Sequence, residues 1–430
     1  MKFVLETVSK CSGRIGSLGG VDRLASSAKF QTPALVLHTK GGSVPHLSKE
    51  VLHYLTGAEP QLMQYSLNGT VHIEEAVRGC GQGIAGFVAQ KESVSLLVLR
   101  DPAEPCQPGY HEKDVVPVFG RSGRKNFNAE SYMKLVEAFR PDVYVPLYDG
   151  DTDAESSKKR ELKSLERTET FVEQCLEVHR KSEKLKGASV LGPIVGGYNK
   201  KLREKSVQFV EQFKDDFAGY IIAGLHSNGS SATEVKAAPL LDIVSSICQQ
   251  LPSEKPRFMF GAFSPQLVLE LVSRGVDIFD TSYPYLVTQQ NRALNFSFDT
   301  SDSADVSTRK NELDLTDTCW AEDFTGFVDG CQCLACTKHT KAYTHHLYNT
   351  REMLAPILLM IHNLHHYFEF FKAIRRHVAQ DTVGELIDHI NKHVVNPISK
   401  GKENDAAKNV EKAEIKESAT VQAEAKRVKV

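Results

Sequence analysis

The sequence predicts an α/β protein built as a (β/α)8 TIM barrel, with a cysteine-rich subdomain inserted near the C-terminus. Short β-rich runs alternate along the chain with longer segments of helical period, which indicates parallel strands joined by crossover helices. Their number and spacing fit a barrel of about 250 residues better than an open sheet. No glycine fingerprint of a dinucleotide site follows the first strand, which argues against a Rossmann enzyme.

The first strand is expected at residues 33–38 and the first helix at residues 47–55. The clearest helical signal is an apolar stripe on one helix face, and it consists of Leu240, Ile243, Val244, Ile247 and Leu251. The other strands are expected at residues 94–99, 142–148, 190–195, 220–223, 257–260 and 276–279.

The composition restricts the classes of protein that are possible. The net charge of −2 is not that of an autonomous nucleic-acid binder. Nine cysteines, an odd number at irregular spacing, favour a reducing cytoplasm over a disulfide framework. The N-terminal residues do not fit a signal peptide, and no apolar run approaches the roughly 18 residues of a membrane span. We therefore expect a cytoplasmic protein without a transmembrane segment.

Residues 398–430 are rich in Lys, Glu and Ala and contain no aromatic residue. Such a segment buries too little apolar surface to offset its chain entropy, so we expect a disordered, charged tail. The barrel domain is then expected to extend over residues 1–397 and to contain the metal-binding segment at 319–377.

Three cysteines, Cys331, Cys333 and Cys336, lie within six residues. They can supply three of the four ligands of a tetrahedral zinc ion. Spacing alone leaves the fourth ligand open. In one unbroken helix, a rise of about 1.5 Å per residue would carry His362 roughly 30 Å from the cysteines, so either a nearer histidine binds or the chain reverses, for example at Pro356. The candidates are His339, His345, His346, His362, His365 and His366.

Barrel active sites lie at the C-terminal ends of the strands, so the polar residues that follow each strand are candidates for function. Each of them has an alternative interpretation as a solvated turn residue. The candidates are Asp149, Asp151, Asp153, Gly196, Gly197, Tyr198, Gly224, His226, Asn228 and Asp280.

The run Asp323-Phe-Thr-Gly-Phe-Val-Asp-Gly-Cys331-Gln-Cys333-Leu-Ala-Cys336, with Pro356 and His362-Asn363-Leu364 beyond it, resembles the tRNA-guanine transglycosylase family, and most closely its non-catalytic subunits. The similarity extends over most of residues 30–375. It implies one structural Zn²⁺ per chain, bound by Cys331, Cys333, Cys336 and His362.

The resemblance places Asp280 at the family's nucleophile, which attacks the ribose carbon and holds a covalent tRNA intermediate. Its surroundings differ from those of active members. Residues 281–286 lack the family's Cys-Val-x-Pro-Thr-Arg run, residues 99–105 lack its Asp-Ser-Gly-Gly-Phe-Gln loop, and Val195 replaces a base-binding glutamine. Asp149 matches a second aspartate that contacts the base in the family, but this one residue is not enough to restore the base-binding pocket. We therefore expect no independent catalysis and assign no catalytic residue.

The resemblance implies that the chain forms a heterodimer with a catalytic homologue. The heterodimer would exchange guanine for queuine at the wobble position of tRNAs that have a GUN anticodon. The resemblance also implies peripheral association at the mitochondrial outer membrane. One alternative is an independently active transglycosylase that uses Asp280. Another is a zinc-stabilised protein that binds queuine or RNA. Aromatic residues at 367–371 suit either a subunit interface or a helix core. Basic clusters that suit tRNA phosphates lie at residues 121–125, at Lys200, Lys201 and Arg203, and at Arg375 and Arg376.

Overall fold

The computed structural model describes residues 1–24, 28–57, 59–107, 112–301 and 309–393. The tail predicted over residues 398–430 lies outside them. The strands are β1 Lys2–Val8, β2 Arg14–Gly19, β3 Phe30–Thr32, β4 Ala34–His38, β5 Leu62–Ser66, β6 Val94–Val98, β7 Val116–Gly120, β8 Gly123–Phe127, β9 Val143–Tyr144, β10 Ser189–Ile194, β11 Phe217–Ile222, β12 Arg257–Phe258, β13 Ile278–Asp280, β14 Arg292–Leu294 and β15 Glu312–Asp314.

The helices follow the strands in the order that a barrel requires. They are α1 Lys49–Thr56, α2 Leu67–Thr70, α3 Glu74–Cys80, α4 Gly83–Phe87, α5 Ala129–Phe139, α6 Lys158–Lys181, α7 Lys200–Glu211, α8 Ala237–Gln250, α9 Pro265–Val272, α10 Ser282–Gln289, α11 Leu334–Lys338, α12 Lys341–Asn349, α13 Leu354–Gln380 and α14 Val383–Asn391.

Eight parallel strands close into a barrel in the order β4, β5, β6, β9, β10, β11, β12 and β13. This confirms the predicted fold class. Seven of these strands coincide with predicted runs, and β5 is a strand that was not predicted. Within the barrel, His38 of β4 lies beside Gln64 of β5, and Asp280 of β13 lies beside Val36 of β4.

An antiparallel sheet of β1, β2 and β3 covers the N-terminal end of the barrel. Arg14 of β2 is buried there, 3.3 Å from the carboxylate of Asp277, and it donates to the carbonyl oxygen of Ser253. Asp277 and Ser253 precede β13 and β12, so these contacts fix the sheet to the end of the barrel opposite the one where Asp280 lies.

A hairpin of β7 and β8 follows β6 at the C-terminal end of the barrel. The amide of Asn68 donates to the carbonyl oxygen of Phe119 over 2.9 Å, and Arg100 donates to that of Pro117 over 2.7 Å. Because Asn68 and Arg100 follow the barrel strands β5 and β6, the hairpin is held beside the barrel mouth.

Candidate functional site

The cysteine-rich loop is shaped by its own backbone. Cys333 caps helix α11, and the backbone N–H of Cys336 donates to the sulfur of Cys333 over 3.3 Å. Gly326 packs against this loop so closely that an added Cβ would lie 2.9 Å from the carbonyl oxygen of Cys336. A side chain at Gly326 would therefore push the loop away, which explains why glycine occupies this position.

His362 reaches the cysteines because the chain reverses between α12 and α13. The reversal lies at residues 350–353, where Arg351 has a positive φ of 59°. It precedes Pro356, which lies in the first turn of α13, where the missing N–H costs no helical hydrogen bond. The reversal considered in the sequence analysis therefore exists, but a few residues before the proline.

Four side chains form the cluster: Cys331, Cys333, Cys336 and His362, whose ligand atoms all lie within 4.8 Å of one another. Nδ1 of His362 lies 3.7 Å from the sulfur of Cys331, 3.6 Å from that of Cys333 and 3.3 Å from that of Cys336. In a tetrahedral zinc site, with bonds of about 2.3 Å to sulfur and about 2.0–2.1 Å to nitrogen, sulfur and nitrogen lie about 3.6 Å apart. The spacing therefore fits zinc.

The chemistry of the cluster also suits a metal. Hydrogen bonds from the Cys333 and Cys336 thiols lower the pKa of Cys331, which favours the thiolate that a metal binds. Nε2 of His362 lies 2.8 Å from the carbonyl oxygen of Leu294. That contact requires the proton on Nε2, so it leaves the Nδ1 lone pair for a metal.

Asn363, the next residue of α13, fixes the same region to the barrel. Its Oδ1 accepts from the N–H of Leu294 over 2.8 Å, and its Nδ2 donates to the hydroxyl of Thr288 and the carbonyl oxygen of Arg292. The amide thus joins α13 to α10 and β14. This supporting role was not predicted, because β14 is too short to give a strand signal.

The other candidate histidines lie outside the four-residue cluster. His345 contacts the carbonyl oxygen of Leu315, and His366 packs edge-on against Phe296. His339 stacks on Tyr343. His346 is exposed and His365 is half-buried.

Asp280 lies buried at the mouth of the barrel. Its two carboxylate oxygens accept from the backbone N–H groups of Gly261 and Ser282, each over 2.7 Å. Burial raises its pKa to about 6 despite these hydrogen bonds. The carboxyl group is therefore held firmly by its own chain.

A polar group that the sequence analysis missed lies near Asp280. His38 Nδ1 is 3.6 Å from the carboxylate of Asp101, and Ser66 donates to the same carboxylate over 3.4 Å. Among the described residues, Nε2 of His38 and both amide atoms of Gln64 are buried without a protein partner. Gln64 belongs to β5, so its place in the site could not be seen before that strand was identified.

The strand-end aspartates form ion pairs with arginines of the same chain. Asp149 is fully buried and bonds to Arg160 and Arg167. Asp151 pairs with Arg100. These carboxylates are therefore occupied, and a base in the pocket would have to displace the arginines.

The double glycine also serves the fold. Gly197 has a φ of 57°, and a Cβ there would overlap Glu161. Glu161 accepts from the N–H of Tyr198 over 2.8 Å, and Arg203 donates to the carbonyl oxygen of Gly197 over 2.8 Å. This loop therefore presents its polar groups to its own chain.

Two loops meet across the mouth. The N–H of Cys106 donates to the carbonyl oxygen of Ser227 over 2.7 Å, and the N–H of Gly229 donates to that of Pro102 over 3.0 Å. Between them lies a cavity of about 40 Å³, bordered by Tyr148 and by residues that include Gly224, His226 and Asn228. A single water molecule needs about 10–15 Å³ of such space, so this cavity has room for about three water molecules.

The expectation that Arg203 faces tRNA phosphates is wrong, and the aromatic run at residues 367–371 follows the helix-core alternative. Arg203 is buried and bonds to backbone carbonyl oxygens, so it does not face a phosphate. Tyr367, Phe370 and Phe371 are buried within the chain, which makes the aromatic run part of the helix core. Arg375 donates to the carbonyl oxygen of Pro33.

Among the described residues, no helix combines the length and the hydropathy that a membrane span requires.

Comparison with known proteins gives consistent matches. The family model described as "Queuine tRNA-ribosyltransferase" matches residues 10–395. Three similar proteins carry the name "Queuine tRNA-ribosyltransferase accessory subunit 2". The chain is 88% identical to that of Culex quinquefasciatus over 430 residues, 100% of both chains. It is 63% identical to that of Aedes aegypti over 420 residues, 98% of this chain and 99% of the relative. It is 56% identical to that of Anopheles gambiae over 391 residues, 91% of this chain and 90% of the relative.

Proposed function

Because the chain belongs to the queuine tRNA-ribosyltransferase family, we propose that it is the non-catalytic subunit of a heterodimer. The pair exchanges guanine for queuine at the wobble position of tRNAs with a GUN anticodon. The names of the similar mosquito proteins support an accessory role. The proposal rests mainly on the mouth of the barrel, where Asp149 and Asp151 already form ion pairs with arginines of the same chain.

Base exchange needs a pocket in which the polar edges of the base find partners, since each buried donor or acceptor left unpaired costs about 1–3 kcal/mol. Here Asp149 is neutralised by Arg160 and Arg167, and the adjoining cavity has a volume of about 40 Å³. Asp280 keeps the position of a nucleophile, and its carboxylate oxygens already accept from the backbone N–H groups of Gly261 and Ser282. Catalysis therefore falls to the partner subunit.

The proposed metal is one structural Zn²⁺ per chain, held by Cys331, Cys333, Cys336 and His362. The donor set and the spacing of Nδ1 from the sulfurs support zinc. The ion would stabilise the fold, because four protein ligands leave no open position for an activated water. The hydrogen bond from His362 to Leu294 then orients the imidazole toward the ion.

The segment around the metal site is the proposed docking surface for the catalytic subunit. Phe324 is 75% exposed and Met353 is 82% exposed, while Tyr343 is 41% exposed. Large apolar side chains in such numbers on one segment favour contact with a protein partner. These residues replace the buried aromatic run as the interface candidates.

The proposed location is the cytoplasm, with peripheral association at the outer mitochondrial membrane through a partner. None of the nine cysteines forms a disulfide, as a reducing compartment favours. Fractionation of cells with and without the catalytic subunit tests this: loss of the membrane-associated fraction without that subunit is expected, and persistence would contradict association through it.

The decisive experiment measures incorporation of labelled queuine into a GUN tRNA by this chain alone, by the catalytic homologue alone, and by the mixture. This chain alone is expected to incorporate no labelled queuine. The mixture is expected to incorporate more than the catalytic homologue does by itself. An Asp280→Ala variant should support the same activity in the mixture.

Two rival functions predict other outcomes. An independently active transglycosylase would form a covalent adduct with tRNA by itself, and Asp280→Ala would abolish the adduct. A queuine- or RNA-binding protein with another role would bind its ligand but form no stable complex with the catalytic homologue. Sedimentation of the mixture separates these cases.

A further inference from the structure

Helix α10 connects the mouth of the barrel to the metal segment. It begins two residues after Asp280, whose carboxylate accepts from the N–H of Ser282 over 2.7 Å. Thr281 lies between these two residues. Its hydroxyl accepts from the N–H of His38 over 2.8 Å, and its own N–H donates to the carbonyl oxygen of Val36 over 3.1 Å. The first end of α10 is therefore fixed to strand β4 at the mouth.

Thr288 fixes the other end of α10 to α13. Its side chain is buried, and its hydroxyl donates to the carbonyl oxygen of Pro284 over 2.8 Å and accepts from Nδ2 of Asn363 over 2.9 Å. The same oxygen lies 3.6 Å from the sulfur of Met360. Asn363 directly follows His362 in α13, so this end of α10 is held one residue away from a proposed metal ligand.

Leu294 is the link between His362 and Asn363. Its carbonyl oxygen accepts from Nε2 of His362 and its N–H donates to Oδ1 of Asn363, each over 2.8 Å, and the residue is fully buried. With a metal bound at Nδ1, the imidazole ring loses electron density, and the hydrogen bond that Nε2 donates becomes stronger. Metal binding therefore strengthens the contact with Leu294, and the amide of Asn363 connects Leu294 to Thr288.

Tyr285, in the middle of α10, covers part of the mouth. The centroid of its ring lies 5.1 Å from that of His38 and 6.4 Å from that of His46, and the ammonium group of Lys40 lies 5.9 Å from it. Gln289, one turn further along α10, contacts His46 over 2.8 Å. Tyr285 is 8% exposed and His38 is 1% exposed, so a shift of α10 would open the polar group around His38 to solvent.

We propose that metal binding at the cysteine cluster holds α10 in place and thereby keeps the mouth of the barrel closed. Asn363 and Thr288 are the positioning residues that connect His362 to the helix. This coupling rests on the proposed zinc site and goes beyond it, because the ion then affects the mouth as well as its own segment. Coupling between two sites is reciprocal, so a loosened α10 weakens metal binding by the same factor.

The first test distinguishes this link from a general loss of stability. Thr288→Val removes the hydroxyl that accepts from Asn363 and leaves the other hydrogen bonds of Asn363 in place. Thr168→Val is the matched control, because Thr168 of α6 is equally buried and its hydroxyl accepts from the N–H of Asp149, outside the metal segment. The zinc affinity of the full chain, measured by competition with a chelator, should fall roughly tenfold in Thr288→Val. It should not change in Thr168→Val, and Thr288→Ser, which keeps the hydroxyl, should bind zinc as the wild type does.

The chain loaded with Co²⁺ gives a spectroscopic readout of the same link, because the visible absorption of Co²⁺ depends on the geometry of its ligands. Thr288→Val should change this spectrum, whereas Thr168→Val should leave it as in the wild type.

Hydrogen exchange tests the coupling in the other direction. Removal of zinc from the wild-type chain should raise the exchange rates of the α10 amides at least about tenfold, together with those of residues 331–336, and should leave α8 unchanged. In Thr288→Val with zinc bound, α10 should already exchange faster than in the wild type.

Wild-type zinc affinity in Thr288→Val would overturn the coupling, and so would slow exchange of α10 in a zinc-free chain that stays folded. Both results leave the zinc site intact. If the zinc-free chain unfolds as a whole, the zinc affinities of Thr288→Val and Thr168→Val decide, and equal affinities would overturn the coupling. If Thr288→Val does not fold, the exchange of the wild-type chain decides. A wild-type chain that binds no metal would refute the zinc site and the coupling with it, while the accessory role is measured separately by incorporation of queuine.

Discussion

Nε2 of His362 donates to the carbonyl oxygen of Leu294 over 2.8 Å, and Leu294 is the last residue of strand β14. The side chain that completes the cysteine cluster is therefore also bonded to the short sheet that follows the barrel. Loss of the metal is expected to affect both the cluster and the packing of α13.

Cys333→Ser should reduce the zinc content from about one ion per chain to a small fraction. Because the ligands of a structural zinc ion come together only in the folded state, the free energy of binding is also free energy of folding. We expect a loss of several kcal/mol and a lower melting temperature, measured by elemental analysis and thermal unfolding. Cys319→Ser is the control, since Cys319 is exposed and outside the cluster. Full metal content in Cys333→Ser would show that the ligand set is wrong.

Asn363→Ala should lower the free energy of unfolding by about 3 kcal/mol, since it leaves buried partners on Leu294, Arg292 and Thr288 without their hydrogen bonds. Denaturant titration measures the change. Asn391→Ala, at an exposed position at the end of α14, should change stability by less than about 0.5 kcal/mol. Equal effects of the two substitutions would contradict the supporting role of Asn363.

Asp280→Asn should change the pH dependence of stability. The folded-state pKa of Asp280 is raised to about 6 by burial, whereas an unfolded aspartate has a pKa of about 3.9. The folded state therefore retains a proton over this interval, and the stability that the proton provides is lost as the pH rises through about 6. Relative to wild type, the variant should gain up to about 3 kcal/mol between pH 4 and pH 7.

The measurement for this prediction is the difference in unfolding free energy between variant and wild type at several pH values. Asp388→Asn, at an exposed position, should give a flat difference. A flat difference for Asp280→Asn as well would mean that its carboxyl group titrates as in water.

Phe324→Asp should weaken pairing with the catalytic subunit at least tenfold, because a buried charge would replace an apolar contact at the proposed docking surface. Analytical ultracentrifugation of the mixture measures the affinity. Tyr54→Asp is the control, since Tyr54 is 68% exposed but belongs to α1 of the barrel. If both variants pair as wild type does, the docking surface lies elsewhere.

The alternation of β-rich and helical runs was enough to predict the barrel, because strands buried on both faces are rich in apolar residues. Strand β5 was not predicted from this pattern, because Gln64 and Ser66 are polar although both are buried. Sheet β1–β3 and hairpin β7–β8 also escaped it. Strand β8 is mostly exposed, and such a strand carries little hydrophobic signal.

The candidate site was partly predictable. Three cysteines at short spacing indicated zinc, but the position of His362 depends on the reversal at residues 350–353, which no local pattern specifies. Arg203 illustrates the opposite error. It follows two lysines on α7, yet it points inward to the carbonyl oxygens of Ile194 and Gly197, because the helix turns successive side chains to different faces.

Cys331 and His362 are separated by 31 positions in the chain, so a metal that binds both acts as a reversible cross-link. Closing a loop of about thirty residues in the unfolded chain would contribute about 4 kcal/mol of stability by the chain-entropy estimate for disulfides. Unlike a disulfide, this link forms in a reducing compartment and opens when the ion leaves. The exposed Phe324 lies just before that loop and the exposed Met353 lies within it, so the amount of chain competent to assemble would follow the zinc supply of the cell.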